Sequence, residues 1–350
     1  MRVALFHVDL PHPNKKPGGV SVVVHRLANA LARHCANVEP TVFSLDRTIE
    51  DAAYRHISLF PNRHWIRSQF GSRLALPLLL NVQRFSSFDV LHLHGDDWFF
   101  VRRRLPTIRT FHGSALQEAR SATSTKRRLS QYTIYLFEHL SARLPTVSAA
   151  VGPEAAALYD ADTVVNNGVE MGLFQPGTKT DYPSVLFVGT WEGRKRGQFL
   201  FEVFTGQVLP RFPDAQLLMV SDQCPPHEQV THISSPSDDA LAALYRESWV
   251  LAHPSTYEGF GIPYIEAMAS GTAVLSSPNP GSQHVLSGGT YGVIADDHAF
   301  ADQLIHLLDS ETHRRHYVAL GLQRADVFSW KNVAEQHVDL YRRAVDIYAK

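Results

Sequence analysis

The chain has 350 residues, of which 44% are hydrophobic and 19% charged, and carries a formal net charge of −1. That length favours two domains over one core, and that composition excludes a disordered chain. The near-neutral charge gives no global reason to bind nucleic acid, and Cys35 and Cys224 are too few for a disulfide framework, which suits a reducing compartment.

The opening "MRVALFHVDL" holds an apolar run broken by His7 and Asp9, too short for a secretory signal. It reads as a first strand over 2–8. Further strands are expected at 38–44, 90–94, 107–111, 145–148 and 163–166. A second series follows at 184–189, 216–221, 229–233, 249–254, 272–277 and 291–294. Between them lie segments such as "SVVVHRLANALARH", where Val20, Val23, Val24, Leu27 and Leu31 repeat at helical spacing. The alternation predicts α/β architecture with parallel sheets covered on both faces. The longest apolar run, "LALPLLL" (74–80), is too short to span a bilayer, so the expected location is the cytoplasm.

The segment "NNGVEMGLFQPGTKTDYP" (166–183) has three glycines and two prolines and reads as a linker between two doubly wound halves. The expected divisions are an N-terminal domain over 1–168, a linker over 169–183 and a second domain over 184–329. A last amphipathic helix over 330–350 carries Val333, His337, Leu340, Tyr341, Ala344 and Val345 as its apolar side.

In open α/β sheets, ligands bind beyond the carboxyl ends of the strands, so chemistry is sought just after each one. Gly18 and Gly19 in "PGGVS" would let backbone amides approach a ligand at a helix N-terminus. His112 in "TFHGS" ends another strand. Arg194, Lys195 and Arg196 in "VGTWEGRKRGQFL", just past Gly189, repel one another unless water or an anion such as a pyrophosphate sits among them. "HPSTYEGFGIPYIEAMASGTAVL" (253–275) places Glu258 before a helix and Glu266 inside it. Pro263 suits the first turn of that helix and Gly271 its end. A carboxylate that accepts two vicinal hydroxyls is a common way to hold a ribose.

The E-x(7)-E spacing of Glu258 and Glu266, with "PGGVS", "DVLHLHG", "TFHG", "VVNNGVEMGLFQP", "LFVGTWEGRKRG" and "SWKNVAEQHVDLY" in order, resembles retaining glycosyltransferases of the GT-B fold, sequence family 4. The resemblance implies two Rossmann-like domains facing across a cleft and a terminal helix crossing back onto the first. It also implies a metal-independent hexosyltransferase that needs no cofactor and uses a nucleotide-diphospho-sugar as co-substrate. By analogy Glu258 meets the transferred sugar and Glu266 the ribose. The amides around Gly259, Phe260, Gly261 and Ile262 line sugar and phosphates, Arg194 and Lys195 neutralise the leaving diphosphate, and His112 adjoins the anomeric carbon. Gly18, Gly19, Gly189 and Arg196 complete the donor set. One departure is Thr190, where relatives carry an arginine after the strand-ending glycine.

The acceptor is a glycan, a lipid-linked molecule or a small natural product. Arg63, Trp65 and Arg67 are its candidate contacts, and the basic stretches 101–109 and 124–137 allow peripheral contact with an anionic membrane, at its inner face. Two alternatives come from other classes. "HLHGDD" (92–97) nearly matches a binuclear zinc hydrolase motif, with His92 and His94 on one face of a strand. A non-catalytic GT-B-like binder of nucleotide sugars would share the same residues. "DAD" (160–162) imitates a metal-binding D-x-D but reads as surface.

Overall fold

The structure, a computed structural model, describes residues 1–12, 18–62, 64–68, 71–122 and 124–350, with the backbone alone at His64 and Arg67. These residues fall into two compact units. The first joins Met1–Leu116, Ser130–Gly168 and Trp330–Lys350, and the second joins Gln117–Leu129 and Val169–Ser329. The linker-like stretch therefore groups with the second unit, as does a short piece, Gln117–Leu129, from within the first half of the sequence.

The first unit is built on seven described strands: β1 (Arg2–Phe6), β2 (Glu39–Ser44), β3 (Arg55–Ser58), β4 (Val90–Leu93), β5 (Thr107–Phe111), β6 (Val147–Ala150) and β7 (Thr163–Val164). All pair in parallel, in the order β3-β2-β1-β4-β5-β6-β7. β1 and β4 are apolar along nearly their whole length because helices cover both sheet faces. On one side Phe6, Phe43, Leu91, Leu93 and Phe100 join one buried cluster. β3 escapes the sequence pattern: "RHIS" has one strongly apolar residue, and an edge strand that is only half-buried needs no more.

The Trp330–Tyr348 helix belongs to this unit. It buries Trp330, Val333, Ala334, His337, Leu340, Tyr341 and Ala344 and packs on the Gly19–His34 helix. Gly168 lies directly beneath the Trp330 ring, where a Cβ would collide with the indole.

The second unit has β8 (Ser184–Val188), β9 (Gln216–Val220), β10 (Val230–Ile233), β11 (Val250–His253), β12 (Ala273–Ser276) and β13 (Val293–Ile294). They are also parallel, ordered β10-β9-β8-β11-β12-β13. Phe187, Phe204, Leu217, Met219, Phe300 and Leu304 anchor its core. Both units are thus doubly wound α/β domains. No helix of the described residues is long and apolar enough to cross a membrane.

Two of the arginines read as a basic surface point inward instead. Arg103 and Arg109 flank the fully buried Asp97, with Arg103 Nη2 3.3 Å from Oδ2 and Arg109 Nε 3.4 Å from Oδ1. Arg109 also bonds Ser141 and lies over the Phe111 ring. An arginine can enter a core only with a counter-charge, and Asp97 is that charge. Asp97→Ala should therefore leave Arg103 without its counter-charge and Arg109 with only Glu138, 3.9 Å away, and destabilise the first unit by roughly 3–5 kcal/mol in urea unfolding. A loss below ~1 kcal/mol would show that the triad contributes little.

Candidate active site

In each sheet the strand order reverses at one seam, between β1 and β4 in the first unit and between β8 and β11 in the second. Open α/β sheets offer their crevice at such seams, beyond the carboxyl ends of the strands. The chemistry-bearing residues collect there in both units.

In the second unit β8 ends at Val188, and the turn that follows carries Arg194 and Lys195. β11 ends at His253, five residues before Glu258. Three nitrogens converge on one oxygen: Glu258 Oε1 lies 2.7 Å from Lys195 Nζ, 3.0 Å from Arg194 Nη1 and 3.1 Å from His253 Nε2. Arg194 Nη1 also donates to the Tyr257 carbonyl at 2.7 Å, and its Nε pairs with Glu118 at 3.1 Å. Glu258 is only 5% exposed. Burial alone would push its carboxyl up, but Lys195, His253 and Arg194 together hold it well below the usual range. Burial lowers the Lys195 and His253 values, against which Glu258 works.

The loop behind Glu258 is shaped by close contacts. Gly261 caps the Ile262–Ala269 helix at φ +96°, in the left-handed region that a side chain rarely adopts. Gly261 has no side chain to cap the first turn, so the helix presents its amide end. Gly281 donates to the Glu258 carbonyl at 2.9 Å, and a Cβ there would come within 2.8 Å of Glu258 Cβ. Asn279 closes the neighbouring helix with a capping box, and its amide reaches Ser255, Ser277 and the Tyr264 hydroxyl. Phe260 is buried edge-on against Phe328 and His284, which leaves its backbone rather than its ring for a ligand.

Glu266, one turn into the helix, is buried against Tyr245, whose phenol is raised by burial and then by the Glu266 carboxylate. Gly189 gives room to its neighbours, since a Cβ there would press on Phe187 and the Lys195 stem. Arg196 does not join the cluster: it forms a two-pronged pair with Asp297 at 2.7 and 2.8 Å and stacks over Phe199. The reason is local, because Arg196 takes a left-handed turn at φ +59° and its side chain leaves the other two. Thr190 bonds the Glu192 carbonyl. A cavity of 340 Å³ opens beside the cations, lined by Glu118, Arg127, Thr190, Arg194, Lys195 and Asp222.

Sequence reasoning missed three partners. His253 sits at a strand end, so the strand-end rule applied to "VLAH" could have found it. Gly281 and Glu118 left no local signal: each matters through a contact distant in sequence.

In the first unit His94 and His112 end β4 and β5, and His94 Nδ1 lies 2.9 Å from His112 Nε2. His92 behind them is fixed by Thr110 at 2.8 Å and Tyr341 at 3.0 Å. His94 Nε2 and His112 Nδ1 are shielded from solvent and have no hydrogen-bond partner among the described residues. Burial, then the nearby His7 and His337, pushes His112 down to about 3, and burial takes His337 to about 4. Among the candidate donor glycines of this unit, a Cβ at Gly19 would touch nothing of the described residues. Trp65 is 53% exposed. Arg63 lies outside the described residues, as does the Arg67 side chain.

The hydrolase-like pattern does not converge. His92 and His94 stack with ring centroids 3.9 Å apart, but Asp97 faces Arg103 and Arg109. Among the described residues no group of three or more His, Cys, Asp or Glu is placed to hold a metal ion. In "DAD", Asp162 accepts from the Ser148 backbone and hydroxyl at 2.7 and 2.9 Å, and Asp160 ends a helix.

Two family models tile most of the chain: "Glycosyltransferase Family 4" matches residues 17–172 and "Glycosyl transferases group 1" matches 173–323. A phosphatidyl-myo-inositol mannosyltransferase of Mycobacterium tuberculosis (strain ATCC 25618 / H37Rv) is 29% identical over 297 residues, covering 75% of this chain and 76% of the relative. Sucrose-phosphate synthase from Thermosynechococcus elongatus superposes with a TM-score of 0.76 at 21% identity, over 98% of each chain. Anabaena Alr3699/HepE in complex with UDP-glucose superposes at 0.70 and 13% identity, over 98% of this chain and 100% of the other.

The buried histidines set a pH dependence. Those of the folded unit (His92, His94, His112, His337) are lowered, so between their values and about 6.5 the unfolded chain binds more protons. Stability should then fall as pH drops from about 6.5, by up to ~1.4 kcal/mol per pH unit per histidine. Asp96 and Glu138, raised by burial to about 6 and about 7, act in the opposite sense over their own windows but are fewer. Thermal unfolding at pH 7.5 and 5 should give a lower midpoint at pH 5, with a smaller difference in His337→Gln. An equal difference in the variant would remove the cluster as the cause.

Proposed function

The chain belongs to the family 4 type of GT-B glycosyltransferases, and on that premise we propose that it transfers a hexose, with retention and without a metal, from a nucleotide-diphospho-sugar to an acceptor hydroxyl. The observation that carries this reading is the convergence of Lys195, Arg194 and His253 on Glu258 at the amide end of a helix. A cation pair of this kind suits a diphosphate, and a buried ionised carboxylate beside it suits a sugar hydroxyl.

Each residue then has a role. All three partners take Oε1 of Glu258, so Oε2 is the oxygen that these cations leave for the transferred sugar. Lys195 and Arg194 turn toward the diphosphate as it arrives and stabilise the charge that grows on it as the glycosidic bond breaks. Gly18, Gly19 and the amides from Gly259 to Ile262 contribute donors without side-chain obstruction. Glu266 holds the ribose and His112, as a neutral imidazole, hydrogen-bonds the transferred sugar. Arg196 is left out of the donor contacts because Asp297 engages it.

The acceptor hydroxyl attacks from the face that the nucleotide leaves, and a phosphate oxygen of the leaving group takes its proton. A lipid-linked or otherwise anionic polyol is the proposed acceptor. The mycobacterial relative named for phosphatidyl-myo-inositol supports that class, as does the exposed indole of Trp65.

Glu258→Gln should lower kcat by ~10²-fold or more, the scale of one lost transition-state contact, when assayed on folded variant below its own, lowered melting point. A near-normal kcat would take Glu258 out of the site. In a thermal-shift panel of UDP-, GDP-, ADP- and TDP-sugars one nucleotide class should raise the midpoint, and Lys195→Ala should erase that rise. No shift with any of them would overturn the donor assignment.

A further inference from the structure

Charge alternates along one line in the second unit: Glu258, Arg194, Glu118, Arg127. Arg194 stands between two carboxylates, with Nη1 3.0 Å from Glu258 Oε1 and Nε 3.1 Å from Glu118 Oε1. The other oxygen of Glu118, Oε2, lies 3.2 Å from Arg127 Nη2. Glu118 comes from the short Ala115–Arg120 helix and Arg127 from the segment after it, and both lie in the Gln117–Leu129 piece that groups with this unit. Side-chain exposure rises outward, from 7% at Glu258 through 27% at Arg194 and 26% at Glu118 to 61% at Arg127.

The two carboxylates on Arg194 are not equivalent. Glu258 is buried and its Oε1 also takes Lys195 and His253, so removing its partners would strand an ion away from water. Glu118 keeps contact with solvent and has Arg127 as a second partner, and an ion pair this exposed is weak. Nor does Arg194 need Glu118 for its placement, because Nη1 donates to the Tyr257 carbonyl at 2.7 Å as well as to Glu258. When another anion claims Arg194, Glu118 is the carboxylate that yields.

Glu118 also stands where such an anion would come. It lines the 340 Å³ cavity beside Arg194 and Lys195, together with Glu192 and Asp222. A diphosphate entering there brings its negative charge against these carboxylates, and like charges at that range weaken binding, most of all at low salt. Of the three, Glu118 is the one paired to a cation that the phosphate would use.

We propose that Glu118 is an internal stand-in for the donor diphosphate. It neutralises Arg194 until the nucleotide arrives, competes with the nucleotide for that guanidinium, and withdraws onto Arg127 as the nucleotide binds. The inference rests on the donor reading above and adds to it the residue that limits donor affinity.

The experiment is calorimetric titration of the full chain with inorganic pyrophosphate, UDP, GDP and ADP, beside uridine, guanosine and adenosine as ligands without phosphate. Glu118→Gln should tighten binding of the diphosphate that the parent takes by roughly tenfold at low salt and by less at high salt, with the matching nucleoside unaffected. Glu118→Ala should do the same, which separates loss of the charge from any contact of the new amide. Arg127→Gln should weaken diphosphate binding roughly threefold in the parent but not in the Glu118→Gln background, where no carboxylate has to withdraw. A folded Glu118→Gln protein that binds the diphosphate no more tightly than the parent overturns the proposal and leaves the donor reading standing. An Arg127→Gln loss of equal size in both backgrounds does likewise. Binding of no diphosphate to parent or variant overturns both.

Discussion

A carboxylate can be ionised inside a protein only if positive charge is brought to it, and the second unit is organised around that requirement at Glu258. Water is largely excluded there, so the electrostatic work falls to Lys195, Arg194 and His253. Their convergence fixes much else. Lys195 needs Gly189 beneath its stem, Glu258 needs Gly281 behind its Cβ, and Arg194 is steadied from the other side by Glu118 and the Tyr257 carbonyl. The loop and its helix have their shape because a buried ion cluster tolerates few geometries.

The sheets explain why the cluster forms where it does. A doubly wound sheet delivers loops to one edge, and at the seam two neighbouring loops diverge and leave a crevice. β8 and β11 are such neighbours, so the cation turn and the Glu258 loop meet although some sixty residues separate them. The first unit repeats the scheme with different chemistry. There the ends of β4 and β5 carry His94 and His112, which burial keeps neutral. One seam stores balanced charge, and the other stores uncharged hydrogen-bonding groups.

Strand–helix alternation made most of the fold legible in the sequence, since fully buried parallel strands read as apolar runs whatever their neighbours. β3 was invisible because an edge strand can be half-polar, and β6 begins at Val147, two residues later than the pattern suggested. The ion cluster of the second unit was legible where residues follow strand ends: Arg194, Lys195 and Glu258. Charge was harder to read. "VRRRLPTIR" looks like a solvated basic strip, yet the structure turns Arg103 and Arg109 onto Asp97, a counter-ion that the sequence had offered as part of a metal motif. Arg196 is identical in type to Arg194, and only a left-handed backbone turn separates their fates. Glu118 could not be read at all, because its role depends on packing of the Gln117–Leu129 piece with the second unit.

The electrostatics also bear on which group takes the proton of an attacking hydroxyl. A general base works best when its own proton affinity is near that of the medium. Glu258 is held well below the carboxylate range with Oε1 already engaged, so it is a poor proton acceptor and a weak nucleophile. His253 is lowered by burial and Lys195 and faces Glu258, and His112 is pushed down to about 3. None of these side chains is poised as a base near neutral pH. The group whose basicity rises as the reaction proceeds is the departing phosphate, which gains negative charge as the sugar loosens. On the proposed reaction Lys195 and Arg194 would temper that charge, and a hydroxyl arriving on the same face would find its proton acceptor there. The proposed retention would then need no enzyme nucleophile, because one oxygen of the buried carboxylate is held by cations and the leaving group would itself be a base.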